Sequence, residues 1–431
     1  MEAMDSSATQ LTRGCPTIIG RVSSTSRGVL ETAYVPRHVS IGPYHRNWHP
    51  NLVRDDEKSE FLRAILPAAS TVEVCLGELA RLEDQARSCY SHTVKMSSIQ
   101  FVRSLLLDGC YLLACFNNDD DDADHRGGEP LVPATDGRDM LEDVVVVSDV
   151  FFLAENQIPF FVIDKIHQLT SGGAPTVNPI VGYAHKLLED RMYSVAKPAV
   201  GGASGPGNLL HLLHMHLTPT LPIPSPGGAD TGKTVGRWRP ATEYYYVAGI
   251  KFKSQSLSTD GARCILDVKL DSSGGTLEVP CLKIDAETWR LLRNLMALEQ
   301  HNPEAAGMHV TAYCIFMSQV ACTAADVELL SGKRVIEHGL GNHGDVATFF
   351  TNLCKEIVFE PNDPGSNYLR SMNQELEKRF NSRPRRWMAW LVRKYFSNPW
   401  LTVGLMAAAL GLACAVVQAV FSVLSYRHGT H

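Results

Sequence analysis

The strongest constraint on this chain lies near its C-terminus, where no charged residue occurs from Tyr395 to Tyr426. The centre of that stretch, Leu401–Leu424, is apolar except for Thr402, Gln418 and Ser422. A helix that crosses a bilayer needs about 20 apolar residues, at about 1.5 Å rise each, to cover a hydrocarbon core of roughly 30 Å. Trp387, Trp390, Tyr395 and Trp400 stand on the N-terminal side and Tyr426 on the other, the placement that amphipathic rings favour at a membrane–water interface. The ordinary alternative is a buried core helix, but core helices seldom run this long without a charged edge. The sequence therefore predicts one membrane-spanning helix over 395–426, in contact with lipid, and a short tail at 427–431.

Basic residues set the expected orientation. Lys378, Arg379, Arg383, Arg385, Arg386, Arg393 and Lys394 precede the stretch, and Arg427 with two histidines follows it. Cytoplasmic flanks carry the excess of lysine and arginine, so the bulk of the chain is expected in the cytosol. The same basic cluster suits anionic lipid headgroups. Within the apolar stretch, Gly404, Ala408, Gly411 and Ala415 fall at steps of 4, 3 and 4 along one helical face, and Gln418 and Ser422 continue it. Small residues let two helices approach closely in lipid, so this face is a candidate for homo- or hetero-association.

The rest of the chain reads as a mainly α-helical globular domain with a small antiparallel β element. Residues 1–30 are polar and variable in character, and the helical domain is placed at 31–390. Cys75, Leu79, Leu82, Ala86 and Cys89 recur at helical spacing, with charged residues on the other faces. Val102, Leu105, Leu106, Gly109, Leu112 and Leu113 form a second stripe, for which Ser97 or Ser98 is the candidate N-cap. Leu291, Leu295 and Leu298 line a third helix, and Phe349, Phe350 and Leu353 a fourth. Cys264–Leu270 and Thr276–Ile284 alternate in polarity around Ser272–Gly275, which predicts a hairpin. Two loops interrupt this pattern, near 117–140 and 197–240. The first begins with the acidic run Asn117–Pro130 and the second is rich in Gly and Pro; like-charge repulsion and backbone freedom keep such segments out of a core.

Several function classes are disfavoured. The formal net charge is −6, whereas a nucleic-acid binder presents a basic face to phosphates. The 11 cysteines are scattered and include no CxxC pair, so they read as buried free thiols in a reducing compartment. The N-terminus shows no apolar secretory signal, and no Asn-x-Ser/Thr acceptor occurs. No GxSxG elbow, P-loop or HExxH motif is present.

Four constellations remain. Gly339-Leu340-Gly341-Asn342-His343-Gly344 fits GxGxxG, with Glu360 at about the spacing of a ribose-binding acid. The segment before it, GKRVIEH, is too polar for the buried parallel strand that a dinucleotide fold requires. His211, His214 and His216 sit close enough on one helix to offer imidazoles to a metal, but no acid or thiol lies near in sequence to complete a set. Tyr44, His45 and His49 form a possible acid–base group beside a Gly-Pro turn. Glu155-Asn156-Gln157 lies among apolar residues, where polar groups are more often buried and hydrogen-bonded than catalytic. The acidic run lacks the ligand order and glycine turn of an EF-hand. From the residues, no catalytic, cofactor-binding or metal site is assigned.

Nine segments together resemble the plant proteins grouped as domain of unknown function family 247. They are Val39–His45, Leu82–Tyr90, Phe101–Leu113, Leu153–Ile163, Ala248–Lys253, Leu277–Asp285, Asn294–Gln300, Leu353–Asp363 and Tyr395–Trp400, in the family's order. The resemblance implies a plant protein with a helical core, a C-terminal membrane span and no established enzymatic activity; some grass members look like pollen-side determinants of self-incompatibility. The chain departs from the family at Arg54-Asp55-Asp56-Glu57-Lys58, where an MEEHK-like helix start is usual, and at its GLGNHGD loop. The function expected is recognition or signalling by protein–protein contact from a membrane anchor, with an unidentified protein partner. The alternatives are an enzyme with an unfamiliar site around Tyr44, His45 and Glu155–Gln157, and a structural membrane-surface protein.

Overall fold

The apolar stripes become helices in the computed structural model, which describes residues 18–29, 31–46, 49–116, 140–171, 178–198, 205–220, 235–363, 365–382 and 399–428. The acidic run, most of the Gly/Pro-rich loop, the basic residues Arg383–Lys394 and the rings of Trp387, Trp390 and Tyr395 lie outside the described residues.

Ser98–Phe116 is the organising helix. All six members of its stripe are buried, and so are most residues on its other faces. Ser97 caps it: the Ser97 hydroxyl accepts from Gln100 N at 3.3 Å while Gln100 Oε1 accepts from Ser97 N at 3.2 Å, the reciprocal arrangement of a capping box. The helices Asp55–Ile65, Ala69–Arg81 and Phe160–Thr170 pack on it. Phe160–Thr170 comes so close at Gly109 that an added Cβ would stand 2.4 Å from Ile166 Cδ1. Ser98–Phe116 is long and apolar enough to cross a membrane, but most of it is buried inside the domain, as a core helix is.

The stripe from Cys75 to Cys89 is divided between two helices, Ala69–Arg81 and Glu83–Ser88, which meet at Leu82. Cys75, Leu79 and Ala86 still face the same core. Cys89 is disulfide-bonded, which corrects the expectation that every thiol is free; the other nine cysteines among the described residues are free. Thr288–His301 buries Leu291, Leu295 and Leu298, and with them the polar Arg290, Arg293, Asn294 and Glu299. His343–Leu353 carries the Phe350 and Leu353 contacts. One contiguous apolar cluster runs from Ile19 to Leu376 and joins all these elements.

The β content differs from the expected hairpin. Strand β1 is Lys251–Gln255, β2 Lys269–Leu270, β3 Thr276–Pro280, β4 Leu282–Ile284 and β5 Ile336–His338. The hairpin exists as the short antiparallel β2–β3 pair, closed by Asp271, whose carboxylate accepts from Gly275 N and Thr276 N. However, β3 pairs in parallel with β1, and β4 pairs in parallel with β5. The β element is therefore mixed rather than antiparallel. Cys264–Val268 stays out of the sheet because Asp267 gathers the amides of Arg263 and Cys264 into a turn.

At the C-terminus, Pro399–His428 forms one continuous helix of 30 residues. From Met406 to Ser422 every side chain is exposed, among them Met406, Leu410, Leu412, Val416, Val417, Val420 and Phe421.

Candidate functional site

The two segments that suggested acid–base chemistry do come together, and the structure uses them to join chain segments. Asn156 Nδ2 donates to the carbonyls of Val39 and Asp149 at 3.0 and 2.9 Å, and its Oδ1 accepts from Ile41 N at 2.7 Å. Gln157 Nε2 donates to the carbonyls of Val150 and Leu153, while its Oε1 accepts from Leu209 N. Glu155 accepts from Val22 N at 2.6 Å, pairs with Arg27, and faces His45 Nε2 at 3.3 Å. Burial pushes the Glu155 carboxyl up, but the His45 and Arg27 hydrogen bonds outweigh it and hold it below its ordinary range. The Tyr44 hydroxyl donates to the Ile19 carbonyl and accepts from His92 N. Gly42 at the centre of the turn has φ +73°, and a Cβ there would stand 2.3 Å from the Gln157 carbonyl oxygen. Only glycine meets both demands. His49 lies apart, lining a cavity of about 330 Å³ with Glu31, Thr32, Val35, Pro36 and Leu52; this cavity includes neither Tyr44, His45 nor Glu155–Gln157.

Two buried aspartates extend this lattice. Asp108 lies in the middle of the organising helix, fully buried. Its Oδ1 pairs with Lys58 Nζ at 2.6 Å, and its Oδ2 takes Arg46 Nη1 and Gly42 N, each at 2.9 Å. Burial pushes its carboxyl up, yet Arg46 and Lys58 together hold it below the usual range. Lys58 is equally buried and also donates to the Ser40 carbonyl. Asp149 occupies a turn of π-helix, Ser148–Phe152. Its Oδ2 accepts from the amides of Arg37, His38 and Val39, and its Oδ1 pairs with Arg290 at 3.0 Å. Here burial wins and raises the carboxyl despite Arg290. Neither aspartate announces itself in the sequence, because each partner lies 50 to 141 residues away.

GLGNHG does sit between a strand and a helix, but the site is not built for a pyrophosphate. Strand β5 is three residues long with Glu337 exposed. The N-terminus of His343–Leu353 is already capped by Asn342, whose Oδ1 accepts from Asp345 N at 2.9 Å. Asp345 adds a carboxylate where a phosphate would need open amides. None of Gly339, Gly341 and Gly344 has positive φ.

The histidines of Leu209–His216 have different fates. His216 Nδ1 bonds the Leu212 carbonyl and its ring stacks on His185 at 5.7 Å. His211 Nδ1 accepts from Gly207 N at 3.0 Å. His214 meets the acid that its sequence neighbourhood lacks: its Nε2 stands 2.9 Å from Glu299 Oε1, on the helix Thr288–His301. His309, at the start of the helix His309–Val320, closes on both, its ring centroid 4.4 Å from that of His214. One potential ligand atom each from His214, Glu299 and His309 lies within 4.8 Å of the others, and all three residues are buried. Sequence reasoning found His214 and missed Glu299 and His309, which arrive from separate helices; no local spacing signals them.

The family model DUF247, described as a plant protein of unknown function, matches residues 19–414. A UPF0481 protein of Arabidopsis thaliana, At3g47200, is 25% identical over an alignment covering 95% of this chain and 86% of that one. A second Arabidopsis thaliana relative, the putative UPF0481 protein At3g02645, is 23% identical over 42% of this chain and 32% of its own length. No solved structure matches the chain.

Proposed function

Because the chain belongs to the DUF247 family of plant proteins of unknown function, we propose its role from its own architecture: a membrane-anchored recognition or signalling protein that acts by protein–protein contact. The observation that carries the reading is the helix Pro399–His428, uncharged from Pro399 to Tyr426 and exposed at every side chain from Met406 to Ser422. Thirty residues make a helix of about 45 Å, longer than a hydrocarbon core of roughly 30 Å. An apolar surface of that extent in water is a strong aggregation liability, and lipid removes it. Under this reading the basic residues before the helix hold the domain on the cytosolic side. Gly404, Ala408, Gly411 and Ala415 are exposed on the helix, and they form its proposed face for pairing with a second helix.

The non-enzymatic part of the proposal rests on how polar groups are used. Glu155, Asn156, Gln157 and Asp108 direct their hydrogen bonds to backbone groups and buried cations, which builds a rigid scaffold rather than a set of poised donors and acceptors. A part in pollen self-incompatibility would be one form of such recognition. The test is fractionation of plant cells expressing the full chain or a chain ending at Lys394. The full chain is expected in carbonate-washed membranes and the shorter chain in the soluble fraction; a shorter chain that still pellets with washed membranes would refute the anchor. Protease added to sealed microsomes is expected to digest the domain, and protection of the domain would overturn the cytosolic orientation.

A further inference from the structure

We propose that His214, Glu299 and His309 form a buried site for one divalent metal ion of the zinc class, which ties three helices together. The three residues come from Leu209–His216, Thr288–His301 and His309–Val320. Two imidazoles and one carboxylate are a donor set for borderline-soft divalent ions, and three protein ligands are enough when a further group fills the fourth position. His211, one turn before His214 with ring centroids 6.1 Å apart, is the candidate for that place; otherwise a water molecule takes it.

Three observations point to an ion rather than to ordinary packing. First, the spacing of two of the ligands fits. His214 Nε2 and Glu299 Oε1 are 2.9 Å apart, and two ligands at about 2.0–2.1 Å on a tetrahedron stand about 3.3 Å apart. An ion replaces the proton between them if they part by a few tenths of an ångström. Second, His309 is 6% exposed and neither of its ring nitrogens has a hydrogen-bond partner among the described residues. A buried imidazole with both nitrogens idle is costly, and a metal bond uses one of them. Third, the charges are incomplete. Among the described residues the Glu299 carboxylate faces His214, and no lysine or arginine pairs with it. A dication would supply the charge that the buried carboxylate lacks.

Glu299 also accepts from Val310 N and from the amide and hydroxyl of Thr311. This caps the helix that begins at His309 and fixes the carboxylate from behind, as outer hydrogen bonds orient metal ligands elsewhere. Enclosure on all sides makes the site structural, since no position opens to substrate.

The experiment uses the full chain, purified in detergent without chelators from cells supplied with zinc, and counts metal by mass spectrometry. About one zinc per chain is expected, with a thermal midpoint that falls on treatment with a strong chelator and returns when zinc is added. Cobalt loaded into the stripped protein should give the intense visible bands of tetrahedral coordination. His309→Ala and Glu299→Gln should each lose the metal, while His185→Ala, outside the trio, should keep it. If either variant fails to fold, the cobalt spectrum of the unmodified chain decides. A folded wild-type chain that holds less than a tenth of an equivalent and takes up neither ion would overturn the proposal, as would zinc retained undiminished in folded His309→Ala.

Discussion

Asp108→Ala should be among the most damaging single changes in the domain, and the structure says by how much. The substitution leaves the Lys58 ammonium fully buried with the Ser40 carbonyl as its remaining hydrogen-bond acceptor and the Tyr111 ring 5.9 Å away. Arg46 keeps Asp55 but loses its buried partner, and Gly42 N loses its acceptor. Breaking a buried ion pair from one side costs about 3–5 kcal/mol, because the surviving charge is stranded. The orphaned amide adds about 1–3 kcal/mol, not fully additively. A loss of roughly 4–6 kcal/mol is a large part of a typical native stability of about 5–15 kcal/mol. The matched control is Asp55→Ala, which also removes a carboxylate from Arg46. Asp55 is 43% exposed at its side chain, so its loss should cost only about 0–1 kcal/mol. Urea denaturation of the full chain in detergent, followed by circular dichroism, measures both. Equal destabilisation by the two variants, or a loss below about 1 kcal/mol for Asp108→Ala, would refute the argument that the buried triad organises the fold. The double variant Lys58→Met/Asp108→Leu should recover much of the loss, since an apolar pair of similar volume strands one charge fewer.

The same site fixes a pH dependence. Asp108 is held below its ordinary value in the folded chain. Its stabilising contribution is therefore complete above the unfolded aspartate value of about 3.9 and is lost as pH falls through the lower folded value. Asp149 is raised instead, so its contribution declines as pH rises from the unfolded to the folded value. Asp108→Asn should flatten the acid limb of the stability profile, and Asp149→Asn should change the slope in the opposite sense just above it.

Three further outcomes are expected. Gly42→Ala should destabilise the domain by more than about 1 kcal/mol, measured by the same denaturation, because it combines a disfavoured φ with a Cβ 2.3 Å from the Gln157 carbonyl oxygen. Gly341→Val should leave the binding of labelled nicotinamide and adenine nucleotides unchanged at the level of background, and saturable binding that depends on Gly341 would show that the loop is a nucleotide site after all. In crosslinking of residues 387–431 in membranes, Gly411→Ile should weaken the proposed helix association strongly and Gln418→Leu moderately, by about 1 kcal/mol or less, whereas Leu412→Ile, off the stripe, should do little; equal signals from all three would count against the face.

What was legible in the sequence was whatever repeats locally. The stripe of Val102, Leu105, Leu106, Gly109, Leu112 and Leu113 could be read because a helix packed into a core through such positions imposes its own period on the residues. The hairpin turn was legible at Ser272–Gly275, but the length of its strands was not, because Asp267 diverts the first arm into a turn and β3 finds a parallel partner in β1. The break at Leu82 has no proline or glycine to signal it. Leu291, Leu295 and Leu298 marked the helix Thr288–His301, but nothing local signalled that its polar positions are buried too. Arg293 reaches the Tyr34 hydroxyl and the carbonyls of Leu353 and Lys355, and Asn294 bridges Ala33 and Ala154.

These long-range polar contacts explain why the segments that carry the family resemblance look like sites and behave as joints. Val39–His45 and Leu153–Ile163 are rich in polar residues set among apolar ones, the composition of an active site and equally of a satisfied buried lattice. The distinction lies in who occupies the lone pairs. For Asn156, Gln157 and Asp108 they are taken by backbone amides and cations of the same fold, so a substitution there should be read out as lost stability rather than as altered chemistry. His309 differs, because both of its ring nitrogens are left without a hydrogen-bond partner among the described residues. What singles out this idle imidazole is its place beside His214 and Glu299, which gives it the strongest claim to hold something that the chain itself does not supply.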